Sequence, residues 1–152
     1  MARGGKLMPV EPRLWARVDK CGPLPEHRPD LGPCWIWTGC TNSKGYAHMC
    51  VEGSKRYVHR LVYQLVVGTI PPGLTIDHLC RNRRCVNPSH LEPVTGRENT
   101  LRGESRSAQH ARKTHCPRSH PYDLLNTRYG ANGRRYCRTC ESTSYAERKR
   151  SA

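Results

Sequence analysis

Between Thr75 and Asn99 the sequence reads TIDHLCRNRRCVNPSHLEPVTGREN, which gathers Asp77, His78, Cys80, Cys85, Asn87, His90 and Asn99 into 25 residues. No helical or strand period in the stretch is long enough to explain it as core. Thiolates and imidazoles at such short spacing are the ligands of tetrahedral Zn²⁺. Cys80-x4-Cys85-x4-His90 offers three of them, and a closed structural site needs a fourth. His59 is the choice for that place, with Cys34 and Cys50 as alternatives. A second set lies downstream, where Cys116-x3-His120 and Cys137-x2-Cys140 form two close pairs. The glycine-rich YGANG between them suits the hairpin that would bring the pairs together. His115 stands as an alternative to His120.

Composition agrees with metal stapling. Of 152 residues only 36% are hydrophobic, none is Phe, and 13 Gly with 12 Pro make much of the chain loop. Such a chain buries little apolar area and needs another source of stability. Nine cysteines are an odd number, and MARGGKLMPVEPRLWARVDK lacks the apolar stretch of a signal peptide. An intracellular, cytoplasmic protein with reduced thiols is therefore expected, and two structural Zn²⁺ outrank a disulfide framework. Lys and Arg number 26 against 12 Asp and Glu, a net charge of +14 that asks for a polyanionic partner. With no apolar run near 18 residues, a membrane partner is not expected.

The elements that must position these residues are short. Residues 1–14 read as a flexible basic leader. CWIWTG, Cys34 to Gly39, reads as a strand, and GYAHMCVEGSKRYVHR as a hairpin reversing at Glu52-Gly53-Ser54. Val58, Leu61, Val62, Leu65 and Val66 then follow a helical period, stopped by Gly68 and Pro71-Pro72-Gly73. LTIDH and HLEPVT read as two further strands, followed by a helix opening at Thr95, with Glu98 completing a capping box. Residues 104–114 are polar and basic and read as a linker. Residues 115–152 form a last unit whose basic tail is a candidate helix. The class is α+β, with Trp35 and Trp37 assigned to the core of the small sheet.

The order WARVDK, CWIWTG, GY, VHR, TIPPGLTIDHLCRNRRCVNPSHLEPVTGREN and LRG, from Trp15 to Gly103, resembles the HNH, or His-Me finger, nucleases. The likeness is to the small bacteriophage and intron-homing endonucleases in particular. CPRSHPYDLLNT with YCRTC is similar to the zinc-binding tail often fused to them, a zinc ribbon-like unit. The resemblance implies a zinc-stapled ββα-metal core over 15–103, preceded by a β-hairpin and helix, and a tail over 115–152 that contacts DNA. It also implies hydrolysis of DNA phosphodiester bonds to 5′-phosphate and 3′-hydroxyl ends. His78 would be the general base, while Asp77 and Asn99 would hold a single Mg²⁺ or Mn²⁺. Asn87, the middle Asn of the motif, would fix the loop so that His78 keeps its orientation. Adjacent residues of a strand point to opposite faces, so Asp77 and His78 can serve one site only at a strand end.

Double-stranded DNA is the expected partner of a monomeric nickase or a homodimer cutting both strands. Arg60, Arg81, Arg83, Arg84, Arg97 and Arg102 are the candidate phosphate contacts. If phage-encoded, the chain would act in the host bacterial cytoplasm. The rival is a non-catalytic zinc-stapled DNA-binding module, regulatory or accessory to phage packaging, which would need none of Asp77, His78 and Asn99. His48, Cys21, Cys40 and Cys50 receive no role.

Overall fold

A computed structural model describes residues 9–150. The first eight residues of the expected basic leader lie outside that range. The rest of the leader is not loop: α1 (Val10–Trp15) starts after Pro9 and buries Leu14 completely. Val10 and Leu14, four apart on one helical face, supply the apolar stripe. β1 (Val18–Asp19) pairs antiparallel with β2 (Ile36–Trp37). β3 (His48–Val51) and β4 (Ser54–Tyr57) form the expected hairpin. Its two loop residues, Glu52 and Gly53, both have positive φ, 48° and 77°, as a tight right-twisted hairpin turn requires.

α2 (Val58–Val66) follows directly. Val58 and Val62 are fully buried and His59 is buried beside them, while Leu65 and Val66 are half exposed. The apolar period therefore overstates how far the helix is covered. The amides of Val67 and Gly68 both donate to the Tyr63 carbonyl, and Gly68, at φ 129°, ends the helix.

β5 (Leu74–His78) pairs antiparallel with β6 (Leu91–Thr95), His78 standing opposite Leu91. α3 (Gly96–Arg102) comes next, capped by the Thr95 hydroxyl, which accepts from the Glu98 amide at 3.1 Å. This is the strand, loop, strand, helix order expected. The main core joins Leu14, Trp37, Ala47, Met49, Val58, Val62 and Val86. A smaller one of Ile70, Ile76 and Leu91 lies under β5 and β6.

The chain forms two compact units that divide inside α3, between Asn99 and Thr100. In the second, the polar stretch read as a linker contains α4 (Arg106–Arg112). Ser105 caps it by accepting from the Ala108 amide at 3.2 Å. Arg112 closes its end on the carbonyls of Leu101, Arg102 and Gly103. Caps and a single buried alanine, Ala108, hold this helix without an apolar stripe. β7 (Thr127–Tyr129) and β8 (Arg135–Cys137) make an antiparallel ribbon, and α5 (Arg138–Arg150) follows. The described residues thus hold four two-stranded ribbons and five helices, an α+β class. No described helix is long and apolar enough to cross a membrane.

Candidate active site and metal frames

The first Cys/His group is Cys34, Cys80, Cys85 and His90, all four buried, with ligand atoms within 4.8 Å of one another. His90 donates from Nε2 to the Leu31 carbonyl at 3.0 Å, which leaves Nδ1 toward Cys34 Sγ (3.6 Å) and Cys85 Sγ (3.5 Å). The structure thus brings Cys34, one of the two alternatives, to the other three side chains and leaves His59 outside the group. The reason is backbone pairing. The Val86 amide donates to the Trp35 carbonyl, the Trp37 amide donates to the Arg84 carbonyl, and Ile36 bridges Cys85. The Cys34 strand is thereby laid against the Cys85 loop. A short aromatic strand opening on a cysteine was the signal available in the sequence.

The thiols themselves ask for a cation. A hydrogen bond from Cys85, with those from the Asn82 backbone and His90, holds the Cys80 thiol down at about 5. Burial, then the charge on Cys80, pushes Cys34 up to about 11. Cys85 is pushed up by its bond to Cys80 and by burial. One negative charge is tolerated there and further ones are not, unless a metal compensates them. Three sulfurs and one nitrogen converging in this way suit zinc.

The second group is Cys116, His120, Cys137 and Cys140, as the spacing suggests. His120 Nδ1 lies 3.5 Å from Cys116 Sγ, 3.6 Å from Cys137 Sγ and 3.2 Å from Cys140 Sγ. Asn126 orients the ligand loop, donating to Cys137 Sγ at 3.4 Å and accepting from the Thr139 amide. His115 stands outside the group, bonded to the Thr114 hydroxyl. Each group could hold a zinc ion.

Asp77 and His78 end β5, and both are buried. His78 packs edge-on against His59, with ring centroids 4.8 Å apart. Tyr46 lies 6.0 Å from His78 and 5.9 Å from His59, and Tyr57 lies 5.5 Å from His59. His59, outside the Cys/His group, is therefore wedged behind the strand-end histidine. Burial drives the His59 pKa down to about 3, helped by its His78 and Arg60 neighbours. Burial also lowers His78, against opposing pulls from Cys80, a hydrogen bond to the Cys85 backbone and the Asp77 charge. Both imidazoles are neutral near pH 7. His78 Nε2 and His59 Nδ1 are buried without a hydrogen-bond partner.

On the other face of β5, strand alternation puts Thr75 and Asp77 together. Asn99 Nδ2 donates to the Thr75 hydroxyl at 3.3 Å, so α3 delivers this amide to the Asp77 face. Arg81, in the left-handed conformation at φ 58°, meets Asp77 Oδ1 at 3.3 Å. Asn87 caps the short turn Pro88–His90 by accepting from the Ser89 amide and ties it down by donating to the Pro33 carbonyl. Among the candidate DNA contacts, Arg84 commits its guanidinium to the Trp37 carbonyl at 2.8 and 3.2 Å. Arg83 reaches the Lys44 carbonyl and lies over Tyr46. Arg60 and Arg102 are half-buried, and Arg97 is exposed. Trp37 is core and Trp35 packs against it, half-buried.

Residues 56–101, from the end of β4 into α3, match the model of a family of HNH endonucleases. Protein 7.7 of Escherichia phage T7 is 40% identical over 67 residues, covering 44% of this chain and 52% of that protein. Protein 2.8 of the same phage is 39% identical over 69 residues, covering 44% of this chain and 46% of that protein. The chain thus spans about half the length of these two relatives. An uncharacterized gene 5.3 protein of Enterobacteria phage T3 is 33% identical over 78 residues, and 77% of its length is covered. No solved structure matches. With the family's strand–loop–strand–helix segment matched and a phage relative covered over most of its length, the chain belongs to the HNH endonuclease family.

Proposed function

We propose that this chain is the metal-dependent nuclease that its family implies, hydrolysing phosphodiester bonds of double-stranded DNA as an endonuclease or nickase, with His78 as general base. The observation that carries the reading is a buried, neutral imidazole at the end of β5, backed by His59 and adjacent to Asp77. Neutral imidazole can take the proton of an attacking water at physiological pH. His59 packs against His78, and its ring limits the orientations His78 can adopt.

Asp77 and Asn99 would hold the divalent cation. Asn99 uses its nitrogen on Thr75, which leaves its carbonyl oxygen, and Asp77 brings a carboxylate on the same strand face. Such hard oxygen donors suit Mg²⁺ or Mn²⁺ rather than a thiolate metal. When bound, this cation would polarise the phosphoryl oxygens and ease departure of the 3′-oxygen. Arg81, already at Asp77, would meet the incoming phosphate, with Arg60, Arg83, Arg97 and Arg102 as further contacts. Arg84 serves the frame through its bonds to Trp37. The two Cys/His groups would each carry a structural Zn²⁺.

The test is nicking of supercoiled plasmid with Mg²⁺ by wild type and His78→Ala, each with its zinc content measured. The expected outcome is cleavage lost by about 10²–10⁴-fold in the variant, the range for removal of a general base, with two zincs in both proteins. Equal cleavage by the variant would sink the assignment of His78. DNA binding without cleavage by wild type, under Mg²⁺ and Mn²⁺ alike, would leave a zinc-stapled DNA-binding module.

A further inference from the structure

His48, Cys40 and Cys50 find no use in either metal frame or in the catalytic cluster, yet all three line one cavity. It has a volume of about 510 Å³ and is walled by α1, the end of β2 and the β3–β4 hairpin. Its other lining residues include Arg13, Arg17 and Lys55 over an apolar floor of Trp37 and Met49. Among the described residues no carboxylate lines it. Three cations without a counter-charge, over an apolar floor, describe a site for an anion that carries a less polar body.

A metal is the wrong occupant. The Cys40, His48 and Cys50 ligand atoms do not converge as those of the two Cys/His groups do among the described residues. The thiols are free, so they do not form a disulfide either. The cations and the imidazole remain as the recognition chemistry. Arg13 already donates to the Cys50 carbonyl at 3.0 Å, which fixes one guanidinium at the wall. His48 Nδ1 is buried and has no hydrogen-bond partner.

The cavity is also connected to the strand-end histidine. His48 stands directly opposite Tyr57 in the hairpin ladder, and directly opposed residues share a face. The Tyr57 ring lies 5.5 Å from His59, whose ring lies 4.8 Å from His78. The hairpin thus runs from the cavity wall to the catalytic cluster through two ring contacts.

We infer that this cavity takes a phosphate-bearing nucleotide of the DNA strand beyond the scissile bond, its phosphate on Arg13, Arg17 and Lys55 and its sugar toward Trp37 and Met49. This rests on the reading of His78 as the catalytic centre of a DNA nuclease. The same chemistry would fit a free 5′-mononucleotide, and the experiment separates the two.

The full chain carrying His78→Ala, zinc-loaded, is titrated with a 20-base-pair duplex at several salt concentrations, and separately with thymidine 5′-phosphate, thymidine and inorganic phosphate. Adding Arg17→Gln and Lys55→Gln should weaken duplex binding about tenfold and flatten the salt dependence by about two counterions. It should also abolish binding of thymidine 5′-phosphate, which in the parent exceeds that of thymidine or phosphate. These two positions are exposed and leave the Arg13–Cys50 bond intact, so the variant keeps its fold and its two zincs. Unchanged affinity for the duplex and the mononucleotide overturns the proposal. A lost mononucleotide with unchanged duplex binding overturns the strand assignment. If wild type cuts no DNA while the variant still loses the mononucleotide, the nuclease reading falls and the cavity stands.

Discussion

The two Cys/His groups share three sulfurs and one imidazole, yet they are built in opposite ways. The outer group closes within residues 116–140, inside a unit made of one ribbon, capped helices and an exposed loop in which Leu124 and Leu125 are bare. The inner group reaches across 56 positions, from Cys34 to His90, and all its members are buried. Its sulfurs form a small core of their own with Ile36. A local group staples a unit that has little else to hold it. A long-range group ties separate segments together, so its loss is felt wherever those segments lead. Here they lead to His78, since the Leu79 amide, next in the chain, donates to the His90 carbonyl at 2.8 Å.

The comparison can be broken most directly at Cys34. Cys34→Ala should release one zinc and abolish cleavage, since binding of a structural zinc contributes on the order of 10 kcal/mol to the folding of small domains. Zinc content and plasmid nicking read this together, and two retained zincs would return the fourth position to another residue. His59→Ala sharpens it from the other side. Both zincs should stay, while the rate falls by roughly tenfold as His78 gains freedom, a loss within the range for misplaced catalytic groups. A zinc count of one in that variant would mean that His59 is a ligand after all.

Cys137→Ala should release the outer zinc and loosen the 100–152 unit, seen as faster proteolysis there. Nicking should drop by less than in the Cys34 variant. Equal losses from the two variants would refute the independence of the units. The smallest effect is on pH dependence. A His59 held near 3 when folded and near 6.5 when unfolded stabilises the fold fully above pH 6.5, less as the pH falls, and not at all below about 3. Between pH 6.5 and 5.5 the wild type should therefore lose about 1 kcal/mol more stability than His59→Gln, by denaturant titration.

What was legible follows the same division. The outer ligands, the hairpin at Glu52–Gly53 and the Thr95 cap are written in residues a few positions apart, where spacing and turn chemistry decide the outcome. The pairing of Asp77 and His78 at a strand end was legible for that reason too. Cys34 was weighed and passed over because its place depends on the ladder bonds from Trp35 and Trp37 to the Cys85 loop, which no local pattern announces. α4 was hidden by composition, since capping rather than an apolar stripe holds it. The place of His59 depends on Tyr46, from the segment before β3, and on His78, from β5, meeting its ring, a convergence that only the folded chain displays.

The bond from the Leu79 amide to the His90 carbonyl has a consequence for the order of events in a cell. On the proposed reading, a newly made chain that had not yet captured zinc would lack a fixed His90, and with it a fixed His78. Cutting power would then appear only after metallation, which would make metal capture a maturation checkpoint.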